Sequence, residues 1–189
     1  MKEIILRSAS PRRRDLLSQA GFSFTIEAAD IDETMDKNLS PLENVKRLGL
    51  KKAIFEQKKY EGKILIGCDT IVVYEDRVFG KPHSEEEAYT MLKILSGKMH
   101  QVMSGVGIAY RDTVYNFACV SRVYFKELTD AEIWEYIASK ECFGKAGSYA
   151  IQGIGRSLID HYEGSLENII GLPIEEVKDI IGELNAMED

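Results

Sequence analysis

The sequence predicts an α/β or α+β protein built on a mixed sheet, and three observations carry that expectation. Short apolar runs of strand character alternate along the chain with segments whose apolar residues recur at helical spacing. Helical segments open on a shared signature, a hydroxyl side chain followed three residues later by glutamate. Paired β stretches separated by compact turn signals add hairpins to the interleaved pattern.

The elements follow in order. Residues 3 to 7 (EIILR) form a short apolar run closed by a turn signal, which fits a buried strand, and Phe22, Phe24 and Ile26 alternate as a second strand should, with a helix between. Ser40-Pro41-Leu42-Glu43 combines an N-cap serine, a proline at the first helical position and a glutamate able to close a capping box, opening a helix to about Tyr60. Lys63 to Asp69 and Ile71 to Tyr74 read as strand, Glu75-Asp76-Arg77 as a turn, and Val78-Phe79 as the returning strand ending at Gly80-Lys81-Pro82. Ser84 with Glu87 starts a helix carrying Ala88, Met91, Leu92 and Leu95 on one face and stopping at Gly97. β stretches over 100–111 and 114–125 precede a third capped helix, Thr129 with Glu132, whose apolar face holds Ile133, Trp134 and Ile137. A glycine-rich segment from Gly144 to Gly155, a strand near 156–161, a turn at Glu163-Gly164 and a helix after Pro173 complete the chain. With no repeat or linker, residues 1–189 read as one domain, or two lobes sharing a core.

Composition narrows the function classes. No apolar run reaches eighteen residues, so no membrane span is expected, and Ile4 to Leu6 is too short for a secretory signal, so the expected location is cytoplasmic. The three cysteines, Cys68, Cys119 and Cys142, lack CxxC or His-partnered spacing, which argues against a disulfide framework and a zinc site. A net charge of −7 repels long polyanions unless basic residues gather in one place.

They gather at Ser8-Ala9-Ser10-Pro11-Arg12-Arg13-Arg14. Ser10 and Pro11 mark a helix start, yet the first turn carries three arginines, the wrong sign for the positive end of a helix. A polyphosphate would satisfy both the free N–H groups and the guanidinium forks; a solvated basic patch is the alternative. Asp69 is the second anomaly, a carboxylate inside an apolar strand. It needs a partner, a metal or a raised pKa, and it either serves catalysis or merely begins a turn or pairs with a core lysine. Gly67, just before it, permits close approach of backbone or ligand. Lys81 lies one hairpin downstream; Glu33, in the acidic stretch from Asp30, could bind a metal or be a solvated loop residue. In the glycine-rich segment Tyr149 could stack and Gln152 could read a base edge, though the segment matches neither the Walker nor the Rossmann pattern. His83, His100 and His161 share no ligand spacing and read as structural.

Taken with Lys52-Ala53, Gly67-Cys68-Asp69-Thr70, Gly80-Lys81-Pro82, Ser96-Gly97, Lys145-Ala146-Gly147, Ile151-Gln152-Gly153 and Gly171-Leu172-Pro173, the Arg7 to Arg13 segment resembles the Maf family of nucleotide pyrophosphatases, also described as septum formation inhibitors, nearly end to end. The resemblance implies an ITPase-like fold, an elongated mixed sheet flanked by helices with a cleft between two lobes, commonly homodimeric. It implies hydrolysis of a nucleoside triphosphate between the α and β phosphates with Mg²⁺ or Mn²⁺. Asp69 would activate water, Glu33 and Asp69 would meet the metal, and Lys52 and Lys81 would complete the catalytic set. Substrate would be met by Ser8, Ser10, Arg12, Arg13, Thr70, Lys145, Tyr149 and Gln152. The glutamine resembles the branch that prefers dTTP and UTP. Arg7, Gly144, Ser148, Ala150 and Leu166 depart from the family pattern, Arg7 adding a fourth positive charge beside the expected anion site. Rival readings are a nucleotide-sensing or cell-division regulator with incidental hydrolysis, and nucleic-acid binding through the arginines. The net charge and the lack of a basic aromatic stripe weigh against nucleic acid.

Overall fold

The first four α-helices start where their capping residues say they should. The computed structural model describes residues 1–187. Its elements are β1 (Ile4–Leu6), α1 (Pro11–Gln19), β2 (Phe24–Ile26), α2 (Pro41–Ile54), β3 (Ile64–Tyr74), β4 (Arg77–Phe79), α3 (Glu85–Leu95), β5 (Met99–Tyr110), β6 (Thr113–Phe125), α4 (Asp130–Ala138), β7 (Ile159–Glu163), α5 (Leu166–Ile170) and α6 (Ile174–Ala186). Ser40 with Glu43 and Thr129 with Glu132 close full capping boxes, and Ser84 accepts the Glu87 N–H. Among the described residues no helix is long and apolar enough to cross a membrane, and the cysteines form no disulfide.

The seven strands form one mixed sheet in the order β2-β1-β3-β5-β6-β7, with β4 paired to β3. β1 runs parallel to both β2 and β3, while β4 on β3 and β7 on β6 are antiparallel. The chain gathers into two compact units, one of residues 1–70, 104–119 and 171 onward, the other of 71–103 and 120–170. β3, β5 and β6 each contribute residues to both units.

In the first unit Ile5, Leu65 and Ala109 are wholly buried, with Tyr60 against them. Helix α2 lies unusually close to this part of the sheet because the contact positions have no side chains. A Cβ on Gly67 of β3 would sit 2.3 Å from the Ala53 nitrogen, one on Gly105 of β5 would sit 2.1 Å from the Val45 oxygen, and one on Gly107 would sit 2.5 Å from Leu50 Cα. The close approach expected at Gly67 is therefore that of a helix backbone. In the second unit Ile133, Tyr136 and Ile137 of α4 are buried, but Trp134, expected on that face, is 42% exposed and stacks on Tyr89 of α3 with ring centroids 5.0 Å apart.

Two boundaries and one element differ from expectation. Helix α2 stops at Ile54, Glu56 adopts φ 51, and a 3₁₀ turn, Gln57–Tyr60, follows. The stop has a tertiary cause: the Arg7 side chain donates to the Phe55 carbonyl at 3.2 Å and lies over the Tyr60 ring at 4.6 Å. The strand expected from 156 begins at Ile159, after a 3₁₀ segment Gly153–Leu158. Helix α5, five residues long, has no periodic signal of its own to announce it.

Gly67→Ala should lower stability by about 1–3 kcal/mol, since the new methyl meets backbone that cannot rotate away. Gly182→Ala in α6, where a Cβ meets nothing within 4 Å, should be neutral or stabilising by up to about 1 kcal/mol. Thermal unfolding of the two variants side by side measures the difference.

Candidate functional site

Side chains alternate along a strand, so Asp69 of β3 shares a face with Gly67, the residue on which α2 rests. One position before Ala53, Lys52 is carried into the interior and is only 7% exposed. Its ammonium donates to Asp69 Oδ1 at 2.7 Å and meets Glu33 Oε1 at 3.0 Å. The Asp69 side chain is 13% exposed and that of Glu33 56%, so the trio runs from interior to solvent. Of the sequence readings of Asp69, the structure shows the pairing with a core lysine, and that lysine is itself one of the site residues expected from the sequence.

Glu33 lies in the loop between β2 and α2, and α2 holds that loop. Lys51 donates to the Asp32 carbonyl at 2.9 Å and Arg47 to the Thr34 carbonyl at 2.8 Å. Within the loop the Thr34 hydroxyl and N–H both donate to the Asp32 carboxylate, which holds its pKa below the usual carboxylate range.

The arginine run does not present one basic face. Arg13 turns inward and is 9% exposed. Its Nε donates to the Gly171 carbonyl at 2.8 Å, Nη1 to Ser8 Oγ at 2.9 Å and Nη2 to Thr70 Oγ1 at 2.9 Å. Thr70 shares a further hydrogen bond of 2.9 Å with Ser104, and the Cys68 thiol, its pKa pushed up by burial, points at the same Gly171 carbonyl. Ser10 caps α1 by accepting the Arg13 N–H and donates its own N–H to Ser8 Oγ. Arg14 is exposed and pairs with Asp15 through two nitrogens, and Arg12 is half-buried. Arg7 corrects the expectation of a fourth charge beside the anion site, because it is 2% exposed and engaged at the C-terminal end of α2.

Lys81, Lys145, Tyr149 and Gln152 belong to the second unit. The Gly147 N–H donates to the Gly80 carbonyl at 3.0 Å, joining the Gly-Lys-Pro turn to the Lys-Ala-Gly turn. Gly147 has φ 68, and a Cβ there would come within 3.0 Å of Val72, so the junction admits no other residue without strain. Lys81 is exposed, Lys145 half-buried and Gln152 exposed. Tyr149, the ring expected to stack on a base, is 4% exposed and packs edge-on against Phe125 and His100. Its hydroxyl shares a 2.7 Å hydrogen bond with His100 Nε2, and burial pushes its pKa up. In this structure Tyr149 anchors the glycine-rich segment from within, because a ring only 4% exposed has no open face left for a ligand.

Sequence reasoning passed over Ser104, the Gly171 carbonyl and Glu141. Ser104 carried a usable signal, a serine wholly buried within an apolar strand, since a buried hydroxyl needs a partner. The Gly171 carbonyl carried none, being backbone.

The chain is similar to known proteins along nearly its whole length. The family described as Maf-like protein matches residues 3–184. A protein of Bacillus cereus (strain ATCC 10987 / NRS 248) named dTTP/UTP pyrophosphatase is 46% identical over 177 residues, covering 94% of this chain and 87% of that protein. One of the same name from Bacillus thuringiensis subsp. konkukian (strain 97-27) is 45% identical, covering 94% and 93%. In fold, the structure of a HAM1 protein from Coxiella burnetii is similar with a TM-score of 0.50 at 13% identity, covering 97% of this chain and 100% of that one.

Burial pushes the pKa of His100 down to about 3, so the folded protein holds it neutral where an unfolded chain would protonate it near 6.5. Its contribution to stability is therefore complete above about pH 6.5 and is lost as pH falls toward about 3, by up to about 1.4 kcal/mol per pH unit. His100→Gln, which keeps a hydrogen-bonding group but does not titrate, should show a shallower fall of the thermal midpoint between about pH 6 and 4 than the parent protein.

Proposed function

The chain belongs to the Maf-like protein family, and on that premise we propose that it is a nucleoside triphosphate pyrophosphatase hydrolysing dTTP and UTP to the nucleoside monophosphate and pyrophosphate. The observation that carries the chemistry is the buried Lys52 ammonium shared by Glu33 and Asp69, at 3.0 and 2.7 Å. The names of the Bacillus relatives support the choice of substrate. The reaction acts on free nucleotides, which suits a cytoplasmic protein, and the proposed assembly is a homodimer.

Glu33 and Asp69 also fit a divalent cation. They are hard oxygen donors from separate segments that already converge on one positive charge. Two carboxylates suit Mg²⁺ or Mn²⁺, which retain waters and take further oxygens from substrate phosphates. Bound there, such an ion would neutralise phosphate charge and favour ionisation of water.

The chain's own groups supply the remainder. Asp69 takes the proton of a water attacking the α phosphorus, the bond from that phosphorus to the bridging oxygen breaks, and pyrophosphate leaves. Lys52 orients Asp69 through its hydrogen bond and contributes positive charge toward the phosphates. The Arg13 fork fixes Ser8 and Thr70, which with Ser10 and Arg12 form the proposed phosphate-contacting rim of the first unit. Lys81 and Lys145 are proposed as further phosphate contacts. Gln152, exposed and carrying both donor and acceptor, is proposed to read the pyrimidine edge.

Incubated with dTTP or UTP and Mg²⁺ or Mn²⁺, the protein should release monophosphate and intact pyrophosphate, resolved by anion-exchange chromatography. Asp69→Asn should reduce kcat by at least about a hundredfold while remaining folded. Stepwise release of orthophosphate, or an undiminished variant, would contradict the mechanism. Gln152→Glu should reorder substrates by kcat/KM more than it lowers turnover on the best of them; an unaltered order removes Gln152 from base selection.

A further inference from the structure

Gln152 can select a base only if the backbone beneath it is fixed, and the second unit contains an anchor for it that the sequence did not single out. The chain leaves α4 through Lys140 at φ 63 and brings Glu141 back toward the glycine-rich segment. There the two carboxylate oxygens accept consecutive backbone N–H groups, Oε2 from Ile154 at 3.0 Å and Oε1 from Gly155 at 2.9 Å. Two successive N–H groups converging on one anion form a nest, a site that often holds a phosphate or other external anion. Here the anion is the protein's own.

The nest lies directly after Gln152, and the surrounding geometry admits little else. Gly153 adopts φ 67, and a Cβ there would approach Glu141 Oε2 to 2.6 Å. A Cβ on Gly155 would meet the Ala150 carbonyl at 2.2 Å. Both glycines are therefore required by the backbone wrapping the carboxylate, not by chain flexibility. On the other side of Gln152, Ile151 is 5% exposed and Tyr149 is bonded to His100. Gln152 is the exposed residue between two fixed points.

We propose that Glu141 is a positioning residue for base selection: its carboxylate, seated in the N–H nest of Ile154 and Gly155, fixes the left-handed turn that presents Gln152. The proposal rests on the pyrophosphatase reading with Gln152 as the group that meets the base. A side chain presented from a fixed turn loses less freedom on binding, and a mismatched base then leaves its amide unpaired. With Glu141 shortened, the amides of Ile154 and Gly155 turn to water and Gln152 can follow any base, so discrimination falls while the acid and lysine of the first unit are untouched.

The test compares the full-length parent with Glu141→Ala and Glu141→Gln, the latter keeping the side-chain shape and one acceptor oxygen. Steady-state kinetics on dTTP, UTP, dCTP and dGTP is combined with hydrogen exchange at the amides of residues 154 and 155. The alanine variant should lose about tenfold in kcat/KM discrimination between dTTP and dCTP, through a raised KM for dTTP with kcat held within about twofold. Exchange at both amides should accelerate, and the glutamine variant should fall between parent and alanine. If only the glutamine variant folds, the same shifts in smaller measure support the role. An active parent whose variants keep both the substrate order and the amide protection overturns the proposal alone, as does an equal loss of kcat on every substrate. A parent that hydrolyses none of the four overturns the pyrophosphatase reading beneath it.

Discussion

Helix α2 lies against the sheet at backbone distance because Gly67, Gly105 and Gly107 leave no side chains between them. A conventional helix-on-sheet contact interposes side-chain layers and would leave a lysine at position 52 some ångströms further from the strand. Removing that layer lets the Lys52 ammonium reach Asp69 from a position only 7% exposed. A charge so deep is costly unless it is paired, and a carboxylate in an apolar strand faces the mirror problem. Each is the other's solution, and Glu33 supplies the second counter-charge from the solvent side. Glycine weakens strands, so its presence at three contact positions is a local cost offset by the geometry it permits.

The cations of the first unit divide into two kinds. Arg13 makes one hydrogen bond from each guanidinium nitrogen, to β1's outgoing chain, to β3 and to the chain entering α6, so it acts as a structural hub. Its planar fork suits that use, because three acceptors in different directions can be met without deprotonation. Lys52, a point charge on a flexible stem, sits instead where charge must be shared and re-oriented. The electrostatic misfit at the start of α1 is thus partly resolved inside the protein: Arg13 leaves the helix surface and Arg14 neutralises itself on Asp15. Arg12, first in the run, is half-buried.

Much of this was legible because it is local. Capping boxes at Ser40 and Thr129, the proline at the start of α2, the alternation in β2 and the apolar run of β3 are features of neighbours in the chain, and they placed elements closely. The anomaly of Asp69 was legible as a carboxylate in apolar company, but its two readings could not be separated, since the lysine it needs lies seventeen residues away on another element. Features set by distant contacts escaped. The end of α2 depends on Arg7, forty-eight residues before Phe55, and the burial of Tyr149 depends on His100 in strand β5. A tyrosine among glycines looks available from sequence alone; only the fold shows that the glycines serve the backbone around it.

The two units treat polar groups in opposite ways, and the difference bears on how such a protein can diverge. In the first unit charged groups are buried together, so each is held by the others and altering one leaves a partner uncompensated. In the second, the buried pair is neutral, His100 against Tyr149, while the half-buried Glu141 carboxylate sits on backbone, and the exposed side chain they frame is Gln152. Replacing that exposed residue disturbs no buried partner. On the proposed reading, chemistry lies where substitution is most costly and base choice where it is least so, and substrate preference can change at a framed surface position without re-forming the ion pairs that the proposed reaction requires.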